Sequence, residues 1–227
     1  MKQISIIIPC LNEEKTLETV IKKCLKVFTA TNVKGEIIVS DNGSTDNSIE
    51  IALRSGAKVV NCPIKGYGNA LLYGFKAAEG RYIGMLDADN TYDALEFENY
   101  INAMDDNTDM VIGTRIKGYI EKGAMPPLHR YLGTPFLTFI LNLFYGTKIS
   151  DTNCGMRLFK KEAFDKINFQ SSGMEFATDM LIEFSLHKFV IKEIKTSLYK
   201  DTRGRKPHLR PFRDGFRHLF LILRKRF

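Results

Sequence analysis

Cysteine is sparse in this chain: Cys10, Cys24, Cys62 and Cys154 are scattered, with no Cys-x-x-Cys pair and no histidine at metal-sharing spacing. Neither a disulfide framework nor a structural zinc site is suggested, and a reducing, cytosolic setting fits best. Long apolar runs are equally scarce. Ile4 to Ile8 is stopped by Pro9 and followed by Asn12-Glu13-Glu14, too short a run and the wrong sequel for a secretory leader. The stretch Leu128 to Tyr145 is rich in large apolar side chains, but its core of roughly 15 residues falls short of the ~20 that cross a bilayer, which leaves a core helix or an interfacial one. Low-complexity segments and internal repeats are missing too. What remains is an ordinary globular balance, 44% apolar and 26% charged over 227 residues, enough for one large domain or two small ones.

The net charge of +7 is unevenly placed. Between Arg203 and Phe227 nine Lys and Arg face one acid, Asp214, so that segment carries +8 and residues 1–202 carry −1. Any function has to account for a local anion-seeking tail on a neutral body.

Strand-like and helix-like patterns alternate through the first half. Ile4 to Ile8 reads as a buried strand, and a helix follows with apolar positions Leu17, Val20, Ile21, Cys24, Leu25 and Phe28. Glu36 to Val39 is a second strand ending in SDNGSTDNS, with Asp46 expected to cap the next helix. Lys58 to Asn61 is a third strand, Lys65-Gly66-Tyr67-Gly68 opens a helix, and Tyr82 to Leu86 is a fourth strand. A helix from Asp93 to Met104 and a strand from Asp109 to Gly113 complete this half. The pattern predicts an α/β fold with a mostly parallel sheet, helices on both faces, and ligands at the C-terminal edge of the strands. Later, DTNCGMRLFK reads as loop then strand, Met174 to Lys188 as a helix and Val190 to Thr196 as a strand.

The chemistry-bearing residues gather at predicted strand tips. Asp87-Ala88-Asp89 follows the fourth strand directly, and two carboxylates at an open edge repel unless a cation joins them, so hard oxygen donors here point to Mg²⁺ or Mn²⁺, a simple turn and helix cap being the alternative. Asp41, Asn42 and Gly43 at the second tip suit a base or ribose edge, or else a simple turn. Lys65, Gly66 and Gly68 allow close backbone approach near a helix start, a place suited to phosphate. Their spacing departs from G-x-G-x-x-G, which removes a dinucleotide-cofactor reading. Asp179, with Glu175 one turn away, offers a general base for a hydroxyl acceptor. Arg203, Arg205 and Arg210 suit a phosphate acceptor instead, because guanidinium binds phosphate through two hydrogen bonds. Phe212, Phe216, Leu219, Phe220, Leu223 and Phe227 recur at helical spacing between arginines, the pattern of a helix lying in a membrane surface. The same stripe packed on the body is the alternative, and for Lys206 and Lys225 a solvated role is expected.

IPCLNEE, SDNGSTDNS, KGYGNA and LDADN, in that order on alternating elements, resemble the inverting family-2 glycosyltransferases of the GT-A fold. DTNCGMRLF, GMEFATDML and PHLRPFRDGFRHL are similar to the branch that makes polyprenyl-phosphate sugars, the relatives of dolichol-phosphate mannose synthase. The resemblance implies a catalytic domain over residues 1–202, with a nucleotide-sugar half (1–115) and an acceptor half (116–202), and a membrane-facing tail from 203. It implies a UDP- or GDP-sugar donor, with Pro9, Asn12 and Glu13 forming a wall of the nucleotide slot. It makes Asp89 the most direct metal ligand, Asp87 and Ala88 closer to the nucleotide, and His208 a further metal ligand in some relatives. Asp151 would sit beside the transferred sugar or acceptor phosphate. It implies a polyprenyl phosphate acceptor and a peripheral place on the cytoplasmic membrane face, with a transmembrane continuation in many relatives. Transfer to a hydroxyl with Asp179 as base is the alternative, and nucleic-acid binding a remote one.

Overall fold

Ile6, Ile7 and Ile8 are inaccessible to solvent in β1 (Ile4–Cys10). Withdrawing each such side chain from water contributes about 1.5–3 kcal/mol. Alternate strand residues face opposite ways, so both sides of β1 must be covered by other elements. The structure, a computed structural model describing residues 3–204 and 211–226, supplies that cover from both sides. After β1 come α1 (Leu17–Ala30), β2 (Gly35–Asp41), α2 (Ser48–Arg54), β3 (Lys58–Asn61), α3 (Tyr67–Lys76), β4 (Tyr82–Met85), α4 (Phe97–Ala103) and β5 (Met110–Thr114). Ile7 meets Gly74 of α3, while Ile6 and Phe97 of α4 lie together over Gly84 of β4. α5 (Thr134–Tyr145), β6 (Arg157–Lys160), α6 (Lys161–Phe164), α7 (Phe176–Leu186), β7 (Ile191–Lys195) and α8 (Pro211–Arg224) complete the order.

The seven strands run β3-β2-β1-β4-β6-β5-β7. β1 pairs in parallel with β2 and β4, β2 with β3, and β5 with β7, whereas β6 is antiparallel to both neighbours. That reversal departs from the simple alternation of the sequence. The loop before β6 sits at the C-terminal edge of the parallel strands: Asp151 accepts from the backbone and guanidinium of Arg115, just past the C-terminal end of β5. The chain therefore re-enters the sheet from its ligand edge and must run downward. The outer strands β3 and β7 are partly exposed, as edges are.

Local chemistry sets several boundaries. Asp46, expected to cap α2, lies one residue before its N-cap, Asn47; it accepts the Ser48 N–H at 3.0 Å and the Glu14 N–H at 3.1 Å and so ties the start of α2 to the loop after β1. The helix expected from Asp93 begins as a 3₁₀ turn, Ala94–Glu96, whose Leu95 N–H is held by the Asp93 carboxylate. Leu25, predicted to face the core, is exposed on α1. Tyr131, Leu132, Phe136, Phe139 and Leu143 project to solvent from α5 and the π-helical turn before it, while Leu137 and Leu141 are buried. Among the described residues no helix is long and apolar enough to cross a membrane.

α8 packs on α5 and α7. Asp214, His218, Leu221 and Ile222 face the body, and Phe216, Phe220 and Leu223 face outward. Phe212 and Phe227 of the predicted stripe lie outside the side chains described. Lys225, expected to be solvated, is instead ion-paired with both Asp179 and Glu183 of α7. His218 donates to or accepts from Thr178 Oγ1 at 2.6 Å, and burial pushes its pKa down to about 4, so it is neutral at neutral pH.

Candidate active site

β4 stops at Met85, and the next residues turn across the C-terminal edge of the sheet. A cleft of about 400 Å³ opens there, with Pro9 at the end of β1 and Glu13 after it, Asn42 just past β2, Lys65, Gly66 and Tyr67 at the start of α3, and Asp87, Ala88 and Asp89 after β4. Arg203, with Arg213, Asp214 and Arg217 of α8, lines the same space. Carboxylates and arginines thus meet across a single opening.

Asp87 accepts a hydrogen bond from the Tyr67 hydroxyl at 2.8 Å. Burial, and then the neighbouring Asp89, push its pKa up to about 6. Gly155 leaves room for it, since a Cβ there would lie 2.5 Å from Asp87 Oδ2. Asp89 uses Oδ1 to accept the Thr91 N–H and hydroxyl, at 3.0 and 2.7 Å, and turns Oδ2 toward the Arg203 guanidinium at 3.3 Å. Arg203 also meets Glu13 at 2.5 Å and Asp201 at 2.6 Å. Two oxygen-donor side chains whose mutual repulsion already raises one pKa and draws in an arginine suit a hard divalent cation. Among the described residues no group of three or more His, Cys, Asp or Glu is placed to hold a metal ion; Mg²⁺ is commonly held by one or two carboxylates with substrate phosphate and water.

Other predicted residues have local partners. Asp41 accepts the N–H groups of Gly43 and Ser44 and so holds its own turn, and Gly43 has φ +90°. Asn42 bridges the β2 and α3 loops, donating to Cys62 and Ile64 carbonyls and accepting the Gly66 N–H at 2.8 Å, while Lys65 donates to the Asn42 carbonyl at 2.7 Å. Asn12 is bound to Ser44 and Thr45. Gly66 and Gly68 are required by close packing: a Cβ on Gly66 would strike the Ser172 carbonyl, and one on Gly68 would crowd Phe176.

Two expected catalytic carboxylates do not reach the cleft. Asp151 is fully buried with both oxygens taken by Arg115, at 2.7 and 2.8 Å. Burial alone would raise its pKa, but the guanidinium outweighs that and holds it below the usual carboxylate range. The pair pins the loop before β6. Asp179 is also fully buried, accepting from Lys225 and from the Ser171 N–H at 3.2 Å. A base needs a reachable lone pair, and Asp179 joins α7 to α8 instead. Arg205, His208 and Arg210 lie outside the described residues.

Sequence reading missed Tyr67 as the hydroxyl that holds Asp87, and it missed Arg213 and Arg217 as cleft residues. Their i, i+4 spacing, with Asp214 between them, was the available signal that one face of α8 turns inward.

A family model described as Glycosyl transferase family 2 matches residues 5–168. The low-salt glycan biosynthesis hexosyltransferase Agl6 of Haloferax volcanii is 40% identical over 97% of this chain and 53% of its own length, so the chain spans about half of that relative. The dolichyl-phosphate hexose transferase of the same organism is 27% identical over 93% of this chain and 89% of its own. Among solved structures, glucosyl-3-phosphoglycerate synthase from Mycobacterium tuberculosis, in complex with Mn²⁺ and UDP-glucose, superposes with a TM-score of 0.76 at 21% identity, covering 99% of this chain and 79% of that one.

Proposed function

The chain belongs to glycosyl transferase family 2, and from that premise we propose that it transfers a hexose, with inversion, from a UDP- or GDP-linked sugar to a polyprenyl phosphate at the cytoplasmic face of a membrane. The observation that carries this reading is the mixed lining of the cleft: Asp87 and Asp89 from the turn after β4 share it with Arg203, Arg213 and Arg217, and Arg203 lies 3.3 Å from Asp89. Asp87 and Asp89 would hold Mg²⁺ or Mn²⁺, which when bound supplies positive charge against the charge growing on the leaving diphosphate. Tyr67 keeps Asp87 oriented, and Thr91 fixes the Asp89 rotamer so that Oδ2 faces the cleft. The arginines hold anions in line with the anomeric carbon, so that the acceptor oxygen attacks as the bond to diphosphate breaks. A phosphate monoester, with a second pKa of about 6, is already an anionic nucleophile at neutral pH. It needs cations and no general base, in keeping with the burial of Asp179 and Asp151 away from the cleft.

The outer surface supports a lipid-borne acceptor. Phe216 is 71% and Phe220 65% exposed on α8, Phe139 is 61% exposed on the neighbouring α5, and Arg213, Arg217 and Arg224 edge the same tail helix. Exposed aromatics beside arginines suit a surface of anionic lipid. The similarity to a dolichyl-phosphate hexose transferase points to the same acceptor class.

Radiolabelled UDP- and GDP-hexoses incubated with polyprenyl phosphate in anionic vesicles test the reading. The expected product is lipid-extractable, is lost with EDTA, and falls at least about tenfold in a Phe139→Glu/Phe216→Glu variant that also fails to sediment with the vesicles, since each charge placed in a lipid interface costs on the order of 1 kcal/mol or more. Label transferred only to free saccharides would overturn it.

A further inference from the structure

Three carboxylates from separate parts of the chain converge on one guanidinium. Arg203 Nη1 meets Glu13 Oε1 at 2.5 Å, Nη2 lies 2.6 Å from Asp201 Oδ2 and 3.3 Å from Asp89 Oδ2, and Nε donates to Asp201 Oδ1 at 2.9 Å. Lys15 donates to the Arg203 carbonyl at 3.0 Å, so the backbone of this segment is held as well. The side chain is only 6% exposed. Asp89 Oδ1 is already committed to Thr91, which leaves Oδ2 as the oxygen for an incoming cation, and Oδ2 faces Arg203.

A divalent ion coordinated at about 2.0–2.2 Å from that oxygen would stand against a guanidinium that touches it. A divalent ion and a guanidinium on the same carboxylate oxygen repel each other, and further negative charge between them relieves that repulsion. A nucleoside diphosphate brings that charge, and Arg203 can exchange a single Nη contact for a phosphate oxygen while Glu13 and Asp201 keep the rest of the guanidinium.

We propose that Arg203 is a resident counter-cation: it occupies the seat beside Asp89 in the unliganded enzyme and yields it only when metal and nucleotide diphosphate enter together. This rests on the donor and metal reading above and adds an order of loading to it. A bare cation is refused, and the acidic pair is kept neutralised between turnovers.

Mn²⁺ binding to the full chain, followed by electron paramagnetic resonance of the free ion with and without UDP or GDP, tests this without any turnover. In the wild type, the nucleotide should tighten Mn²⁺ binding at least tenfold, and Mn²⁺ should tighten the nucleotide by the same factor. In Arg203→Gln, Mn²⁺ alone should bind at least tenfold more tightly than in the wild type, and the nucleotide's help should shrink correspondingly. Arg203→Lys, which keeps a point charge, should retain the wild-type order. All are compared at a temperature where circular dichroism shows each protein folded. Unchanged or weaker binding of bare Mn²⁺ to Arg203→Gln, with Mn²⁺ and nucleotide still coupled in the wild type, overturns the counter-cation and leaves the donor reading standing. A wild type that binds no Mn²⁺ with either nucleotide removes both.

Discussion

Asp89→Ala is expected to lower the transfer rate by at least about a thousandfold, on the order of 4 kcal/mol of transition-state stabilisation at 1.36 kcal/mol per decade. The fold should survive the change. Asp89 lies in a turn beyond the end of β4, its side chain is part-exposed, and its structural bonds within the turn run to Thr91 alone. The melting temperature should therefore stay within a few degrees of the wild type while Mn²⁺-dependent retention of the nucleotide disappears. Asp87 should respond as well. With Asp89 gone, one of the two causes that raise its pKa is removed and burial remains, so the carboxyl should titrate lower than it does in the wild type. A variant that melts like the wild type and still turns over at more than a tenth of its rate would detach the acidic pair from the chemistry.

Asp179→Ala should produce the opposite pattern, a loss of stability with the chemistry spared. Its carboxylate is fully buried between α7 and α8, where it accepts from Lys225 and the Ser171 N–H. Removing it leaves the ammonium of Lys225, 12% exposed, with Glu183 as its remaining carboxylate partner. Breaking a buried pair from one side costs about 3–5 kcal/mol, and Glu183 places the expectation at the lower end, about 3 kcal/mol. In a domain of this size that corresponds to a fall of about 6–12 °C in melting temperature. Below the transition, the turnover number per folded molecule should remain within a few-fold of the wild type. An Asp179→Ala/Lys225→Met double variant should recover part of the loss, because the uncompensated charge is gone. A collapse of turnover with unchanged melting would restore Asp179 as a general base and favour a hydroxyl acceptor.

The contrast between these two aspartates shows what the sequence made legible. Asp87 and Asp89 follow a short apolar run that reads as a buried strand, and a strand tip places its residues at the ligand edge of such a sheet. The alternation of strands and helices likewise gave the parallel half of the sheet. Asp179, Asp151 and Lys225 were misplaced because their roles depend on partners far away in the chain: Lys225 lies 46 residues from Asp179, and Arg115 lies 36 residues from Asp151. Side-chain chemistry alone does not distinguish a carboxylate that faces a cleft from one that faces a distant arginine. The antiparallel entry of β6 was hidden for the same reason, since the contact beside it, Arg115 with Asp151, spans 36 residues of chain. On α8 the apolar periodicity was visible, but which side of the helix met the body was not. Asp214 and His218 turn inward with Leu221 and Ile222, and Phe216 and Phe220 turn out.

If the proposed chemistry is right, the carboxylates after β4 and a nucleotide's diphosphate share one divalent ion. Crystals grown with Mn²⁺ and UDP, with data collected at the manganese absorption edge, test it most directly. A single anomalous peak is expected about 2.0–2.2 Å from Asp89 Oδ2 and within coordinating distance of both phosphates. Diphosphate bound in the cleft by Arg203, Arg213 and Lys65, with no anomalous density near Asp87 or Asp89, would contradict it.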